Sequence, residues 1–354
     1  MWLIICHDSF NQGMVIFDIL NIARFVARIS EKQIVQTVAF SSETSCLVIK
    51  PVVTRKMSHP LNKSVTLHNG VEMPLLGFGT YRLKKEAVQD PVRFALEAGY
   101  RHIDTASVYR NEQFIAKIIN DDNETIENNS KVKREDIFIT TKLAPKHHGY
   151  EKASAAIDES IKNLGTSPID LFLIHWPGVS GMKPDDPETP LMRLETWRAL
   201  ENALDDGKVR SIGVSNFQPR HLKHLIENCR IKPHVNQFEF HPACQQTELI
   251  ELCNKHKIQI VAYSSLGVGE LLSHPEVIKL SSRCERSEAQ VLLRWAMQKG
   301  VCVIPKASSK ERIEENSKLF DFDLKKDDMK ALDDISKEFP EGHHFCWNPE
   351  SVLY

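Results

Sequence analysis

The chain has 354 residues, 42% hydrophobic and 26% charged, which is ordinary globular composition with room for a sizeable core. Lys and Arg total 45 against 47 Asp and Glu, a net charge of -2, which argues against a nucleic-acid or anionic-membrane surface. The 8 cysteines are scattered, without zinc spacing, and predict unpaired thiols in a reducing compartment.

Taken from the start, no apolar run reaches the ~18 residues of a spanning helix. The nearest candidate, MVIFDILNIARFVARIS, is interrupted by Asp18, Arg24 and Arg28, which recur with Asn21 at helical spacing. Two readings stand for residues 1–56: a targeting or surface segment, or an upstream extension with no part in the fold. Residues 33–56 lack clear periodicity, and Met57 offers a second plausible beginning. The Asn-x-Ser/Thr triplets at Asn62, Asn123 and Asn128 are read as chance, since nothing else suggests secretion.

From residue 63 the pattern becomes regular. SVTLHNGVEMP predicts a hairpin around Asn69-Gly70, both tolerant of positive φ. Apolar strand-like runs then alternate with amphipathic helices: PLLGFGT, YRHIDTA, DIFITTKL, IDLFLIHWP, VRSIGVSN, HVNQFEF, QIVAYSS and VCVIPKA, each followed by a helical stretch. Gly165 is expected to cap the third helix. Eight such units with continuous apolar strands predict a (β/α)8 TIM barrel over residues 57–354, its bottom closed by the N-terminal hairpin. The competing doubly wound sheet usually carries G-x-G-x-x-G, and GFGTYR lacks the third glycine.

Barrel sites lie where the strands end. Here the ends carry Asp104 (with Tyr109 in its loop), Lys142, His175, Ser215-Asn216, Gln237, Tyr263-Ser264 and Lys306. A phenol is a weak acid, so Tyr109 needs help, and a nearby Lys142 ammonium would favour tyrosinate. Asp104 can neutralise a buried Lys142, and His175 can align a carbonyl oxygen. Taken singly, these residues also read as a rim ion pair and a satisfied rim histidine. Together they make a device for protonating an oxygen. Opposite them, Ser215, Asn216 and Gln237 suit a carboxamide, and Tyr263 offers a flat face for a planar ring. Lys306, Ser308, Ser309 and Arg312 open a helix, an anion site, with Glu315 and Asn316 beyond; a plain solvated helix is the alternative for KERIEEN.

The pieces MPLLGFGTYR, GYRHIDTASVYRNE, DIFITTKL, LFLIHWP, GKVRSIGVSNF, VNQFEFHP, AYSSLG and VIPKASSKERIEEN closely resemble the aldo-keto reductase family, in family order. The resemblance implies an NADPH-dependent reductase of aldehydes and ketones on a (β/α)8 barrel. Asp104, Tyr109, Lys142 and His175 match its catalytic tetrad. Gly79, Thr80, Ser215, Asn216, Gln237, Tyr263, Ser264, Leu266, Lys306, Ser308, Ser309, Arg312, Glu315 and Asn316 are then the expected NADP(H) contacts. Tyr81, His175 and Trp176 would face the substrate. Ala307 and Ala144 depart from the pattern, replacing a serine at the 2'-phosphate and a pocket tryptophan. No metal is expected, since His147-His148 and His343-His344 lack further ligands. The expected partner is a small carbonyl compound, with no nucleic acid and no membrane span, for a monomer in the cytoplasm. A mitochondrial location follows if residues 1–56 are a transit segment. Some relatives bind cofactor without turnover as their role, and that is the alternative function.

Overall fold

A computed structural model of the protein describes residues 63–120 and 132–353, together with three upstream strands. Contacts divide the chain into Met1–Met57 and Ser58–Tyr354. In the first unit the strands Ile4–Cys6, Gln36–Phe40 and Cys46–Pro51 form an antiparallel sheet, with the last in the middle. QTVAF and CLVIKP are rich in strand formers despite lacking period-two patterning. The helix expected within residues 14–30 lies outside the described residues.

In the second unit, eight short parallel strands run in sequence order. They are β1 (Phe78–Gly79), β2 (His102–Asp104), β3 (Phe138–Leu143), β4 (Leu171–Ile174), β5 (Ile212–Ser215), β6 (Val235–Glu239), β7 (Gln259–Tyr263) and β8 (Cys302–Val303). The ring closes between its ends. Leu76 bridges Val303, Gly77 N–H donates to Val303 O at 2.9 Å, and Gly79 N–H donates to Pro305 O at 3.1 Å. A β-carbon on Gly79 would lie 2.6 Å from Ile304 O, so the seam requires glycine there. This is the (β/α)8 barrel the alternation predicts.

Its floor is the hairpin of Ser64–Thr66 and Glu72–Pro74. Leu67, Val71 and Met73 pack with Phe138, Leu171, Leu173, Val235 and Val261 from the barrel interior. Only Gly70 takes positive φ (84°) in the turn; Asn69 does not, so this is a turn followed by a left-handed glycine rather than a two-residue primed turn. Asn69 instead donates to Arg210 O at 3.0 Å, tying the hairpin to the barrel.

Helices surround the strands: α1 (Gln89–Glu97), α2 (Glu112–Ile119), α3 (Tyr150–Leu164), α4 (Thr189–Asp205), α5 (Pro219–Asn228), α6 (Thr247–Lys255), α7 (Pro275–Cys284), α8 (Glu288–Gln298), α9 (Lys310–Ser317) and α10 (Lys326–Asp334). Gly165 caps α3 in the left-handed region (φ 61°) as expected. Two helices go beyond the sequence reading. The α7 helix begins where His274 accepts from Glu276 N–H and Pro275 fills the first turn, and α10 occupies the stretch before the tail. The strand–helix layer is packed with Trp197, Phe172, Phe217, Phe238 and Trp295, each such side chain contributing ~1.5–3 kcal/mol by burial. No described helix is long and apolar enough to cross a membrane.

Candidate active site

Side chains two apart on a strand share a face. Phe138 and Lys142 therefore point the same way, as do Leu173 and His175, Val235 and Gln237, and Val261 and Tyr263. The apolar members fill the lower barrel. The polar members gather above them, at the ends where the chain turns into loops.

The Lys142 side chain is fully buried, and its Nζ lies 2.6 Å from Asp104 Oδ1. The ammonium also donates to Thr105 O at 2.8 Å and stands 5.2 Å from the Tyr109 ring centroid. Tyr109 follows on the single 3-10 turn Ser107–Tyr109, which Ser107 fastens to β3 by donating to Lys142 O at 2.9 Å. Its ring meets His175 edge-on at 5.7 Å and Tyr81 at 5.2 Å. Its hydroxyl makes no hydrogen bond among the described residues. The four expected catalytic residues are thus neighbours.

One expectation is corrected. Tyr109 is not made more acidic. Burial, followed by the charge of Asp104, pushes its phenol well above the ordinary value. Lys142 itself donates to Asp104 and to Thr105 O rather than to the phenol oxygen. Burial also pulls Lys142 down, against Asp104, which pushes it up. His175 is held down at about 3 by burial and by Lys142, so its imidazole is neutral. Its Nδ1 is buried without a partner among the described residues.

Across the ring, the expected cofactor residues form a connected set. Gln237 Nε2 donates to Asp104 Oδ2 at 2.8 Å. Asn216 donates to His175 O at 2.9 Å and to Ser215 Oγ at 3.1 Å, and it accepts from Tyr263 OH at 2.6 Å. Both amides expected to meet a carboxamide therefore already hold protein partners. Asn216 and Ser264 directly follow β5 and β7 with φ of 65° and 51°, unusual values for non-glycine residues that concentrate at functional sites. Gly79 ends β1 and Thr80 follows it, where Thr80 Oγ1 donates to Asp104 O at 2.9 Å. Leu266 leads into the 3-10 segment Gly267–Ser273.

The anion group lies apart from these, at the start of α9. Ser309 caps the helix by accepting from Arg312 N–H. Lys306, Ser308 and Arg312 are exposed, and neither cation pairs with a carboxylate among the described residues. Glu315 accepts from Ser287 Oγ at 2.7 Å, while Asn316 is buried. Tyr81 is 54% exposed beside Tyr109, and Trp176 meets Trp347 edge-on at 6.4 Å.

Sequence reasoning assigned no role to Glu239, Asn111 or the tail anchors. Buried Asn111 joins the loops after β1 and β2: it donates to Thr80 O and Leu83 O and accepts from Thr105 Oγ1 at 2.6 Å. Glu239 accepts from His241 at 3.1 Å, from His344 at 2.9 Å and from Phe345 N–H at 2.9 Å, pinning the C-terminal tail. Farther along, Arg220 and His221 hold Val352 O, at 2.7 and 2.8 Å. Between these anchors Cys346 Sγ sits 3.2 Å from Ser264 Oγ. A carboxylate ending an apolar strand was the available signal for Glu239. The adjacent histidine pairs resolve into separate contacts, His148 with Thr196 and Trp176 O, and His344 with Glu239.

Over residues 75–337 the sequence matches the Aldo/keto reductase family, which covers most of the chain. The chain belongs to that family and is an oxidoreductase acting on carbonyl groups. It is 42% identical over 278 residues to the 9,11-endoperoxide prostaglandin H2 reductase of Trypanosoma cruzi, spanning 77% of this chain and 92% of that protein. With the glyoxal reductase of Bacillus subtilis it shares 40% identity over 299 residues, 84% of this chain and 100% of that one. Among solved structures, the Bombyx mori aldo-keto reductase in complex with NADP is similar at a TM-score of 0.73 and 33% identity, covering 84% of this chain and 98% of that chain.

Proposed function

We propose that the protein reduces aldehydes and ketones to alcohols with NADP(H) as cofactor and Tyr109 as the proton donor. One observation carries the reading: a fully buried Lys142–Asp104 pair lies beneath the Tyr109 ring, with neutral His175 against its edge. NADP(H) fits the residues present, because Lys306 and Arg312, close in sequence to the N-terminus of α9, are exposed and have no carboxylate partner among the described residues. Those two, with Ser308 and Ser309, would hold its 2'-phosphate. Glu315 and Asn316 would meet its adenine, and Ser215, Asn216, Gln237 and Tyr263 its nicotinamide. When bound, the cofactor supplies the hydride.

The chain's own groups supply the rest. His175 stays neutral and orients the carbonyl oxygen through a ring N–H. Tyr109, with its acidity suppressed, keeps its proton until negative charge develops on that oxygen, then gives it up. Lys142 lies close enough to stabilise the resulting tyrosinate, and Asp104 keeps Lys142 charged. Tyr81, Trp176 and the pinned tail bound the place where the substrate enters. One barrel carries the whole site, so a monomer suffices. The six unpaired thiols among the described residues suit a reducing compartment such as the cytoplasm.

The test is Tyr109→Phe. NADPH oxidation with a simple aldehyde is expected to fall at least ~10²-fold, while NADPH still quenches tryptophan fluorescence. Undiminished turnover would remove Tyr109 from the chemistry.

A further inference from the structure

The bond from Gln237 to Asp104 crosses the barrel. Strands β2 and β6 face each other in the ring, so this side chain joins the rim that would hold the nicotinamide to the rim that carries the acid. Both residues are 2% exposed, so the bond is made away from water. Asp104 thereby has one donor per oxygen, Lys142 on Oδ1 at 2.6 Å and Gln237 on Oδ2 at 2.8 Å.

We propose that Gln237 is a positioning residue for the proton donor, fixing the Asp104 carboxylate so that Lys142 remains beneath the Tyr109 ring. The proposal rests on the reading of Tyr109 as the acid. A carboxylate with two separate donors cannot rotate freely. Without Gln237, Oδ2 would be left buried and unsatisfied, a costly state for a charged group. The available relief is rotation of Asp104 to place both oxygens on Lys142, which draws the ammonium away from the phenol. Gln237 prevents this without neutralising anything, because an amide donates a hydrogen bond and carries no charge. Its Oε1 makes no hydrogen bond among the described residues and remains available as an acceptor. One amide can therefore face a bound carboxamide through Oε1 while steadying the acid's counter-ion through Nε2.

The test begins with cofactor-free protein. Tyrosine is labelled with 13C at Cζ, and the Tyr109 resonance is assigned by its loss in Tyr109→Phe. Gln237→Met, which keeps length but has no donor, is expected to move that resonance. With NADPH and an aldehyde, kcat should fall about tenfold, as loss of one hydrogen bond to a charged group implies. Gln237→Leu removes the donor without adding charge, and it carries the same readout should Gln237→Met not fold. An unmoved Tyr109 resonance, with only a weaker Kd for NADPH, overturns the proposal and leaves Gln237 a cofactor contact alone. A moved resonance in a protein whose Tyr109→Phe variant keeps full turnover would instead refute Tyr109 as the acid.

Discussion

Lys142 offers no surface to water, and a buried ammonium persists only with compensation. Replacing it by Met leaves the Asp104 carboxylate buried with Gln237 as its side-chain donor. Lys142→Met is therefore expected to destabilise the fold by about 3–5 kcal/mol in urea titrations and to abolish turnover. A stability change within ~0.5 kcal/mol would show that the pair is dispensable. At the far end of the site, Arg312→Leu should weaken NADPH at least ~10-fold while leaving NADH nearly unchanged, measured by fluorescence titration. Equal losses for both would remove Arg312 from the 2'-phosphate. The pairing of Asp104 with Lys142 was legible because each ends an adjacent apolar strand. The direction of the Tyr109 shift was not, since it is set first by how deeply the fold buries the phenol, which the motif does not report.

Among the elements, β5 is closely confined at Gly213. A β-carbon on Gly213 would lie 2.5 Å from Val235 O and 2.7 Å from Leu173 Cδ2, and neither β6 nor the core can move aside cheaply. Gly213→Ala should cost ~1–3 kcal/mol, read as a lower urea midpoint. The tail is held by charge instead. Burial alone would raise the acid of Glu239, yet His241, His344 and the Phe345 N–H pull it down to about 2. A depressed carboxylate stabilises fully above its unfolded value and loses that stabilisation as the pH falls toward 2. Glu239→Gln should accordingly speed proteolysis of residues 343–353 at neutral pH, detected by mass spectrometry, and an unchanged cleavage rate would show that Arg220 and His221 suffice. Strand positions were readable from continuous apolar runs. The tail was not, because its order comes from contacts with residues about a hundred positions earlier, such as Glu239, and no local periodicity reports them. Helix α7 escaped for a related reason: its cap, His274, is not among the usual side-chain signals.

For the whole molecule, histidine sets the acid limit. Burial holds His102, His148 and His234 down at about 4, and His175 and His221 at about 3. All five are neutral when folded, whereas in the unfolded chain they take up protons below ~6.5. Unfolding therefore binds protons between about pH 6.5 and 4, and stability falls as the pH drops through that window. We expect Tm to fall by at least ~5 °C between pH 7 and pH 5, and a flat profile would contradict these shifts. The ring itself has a seam. Strands β1 and β8 are the shortest in the barrel, and they meet through the bonds of Gly77 and Gly79 to Val303 and Pro305. As the chain leaves the ribosome, β1 through β7 can pair one by one, but the sheet remains open along both edges until residue 305 is free. Unpaired edges invite wrong partners, so the nascent chain is most exposed to mispairing during the interval before its final strand arrives.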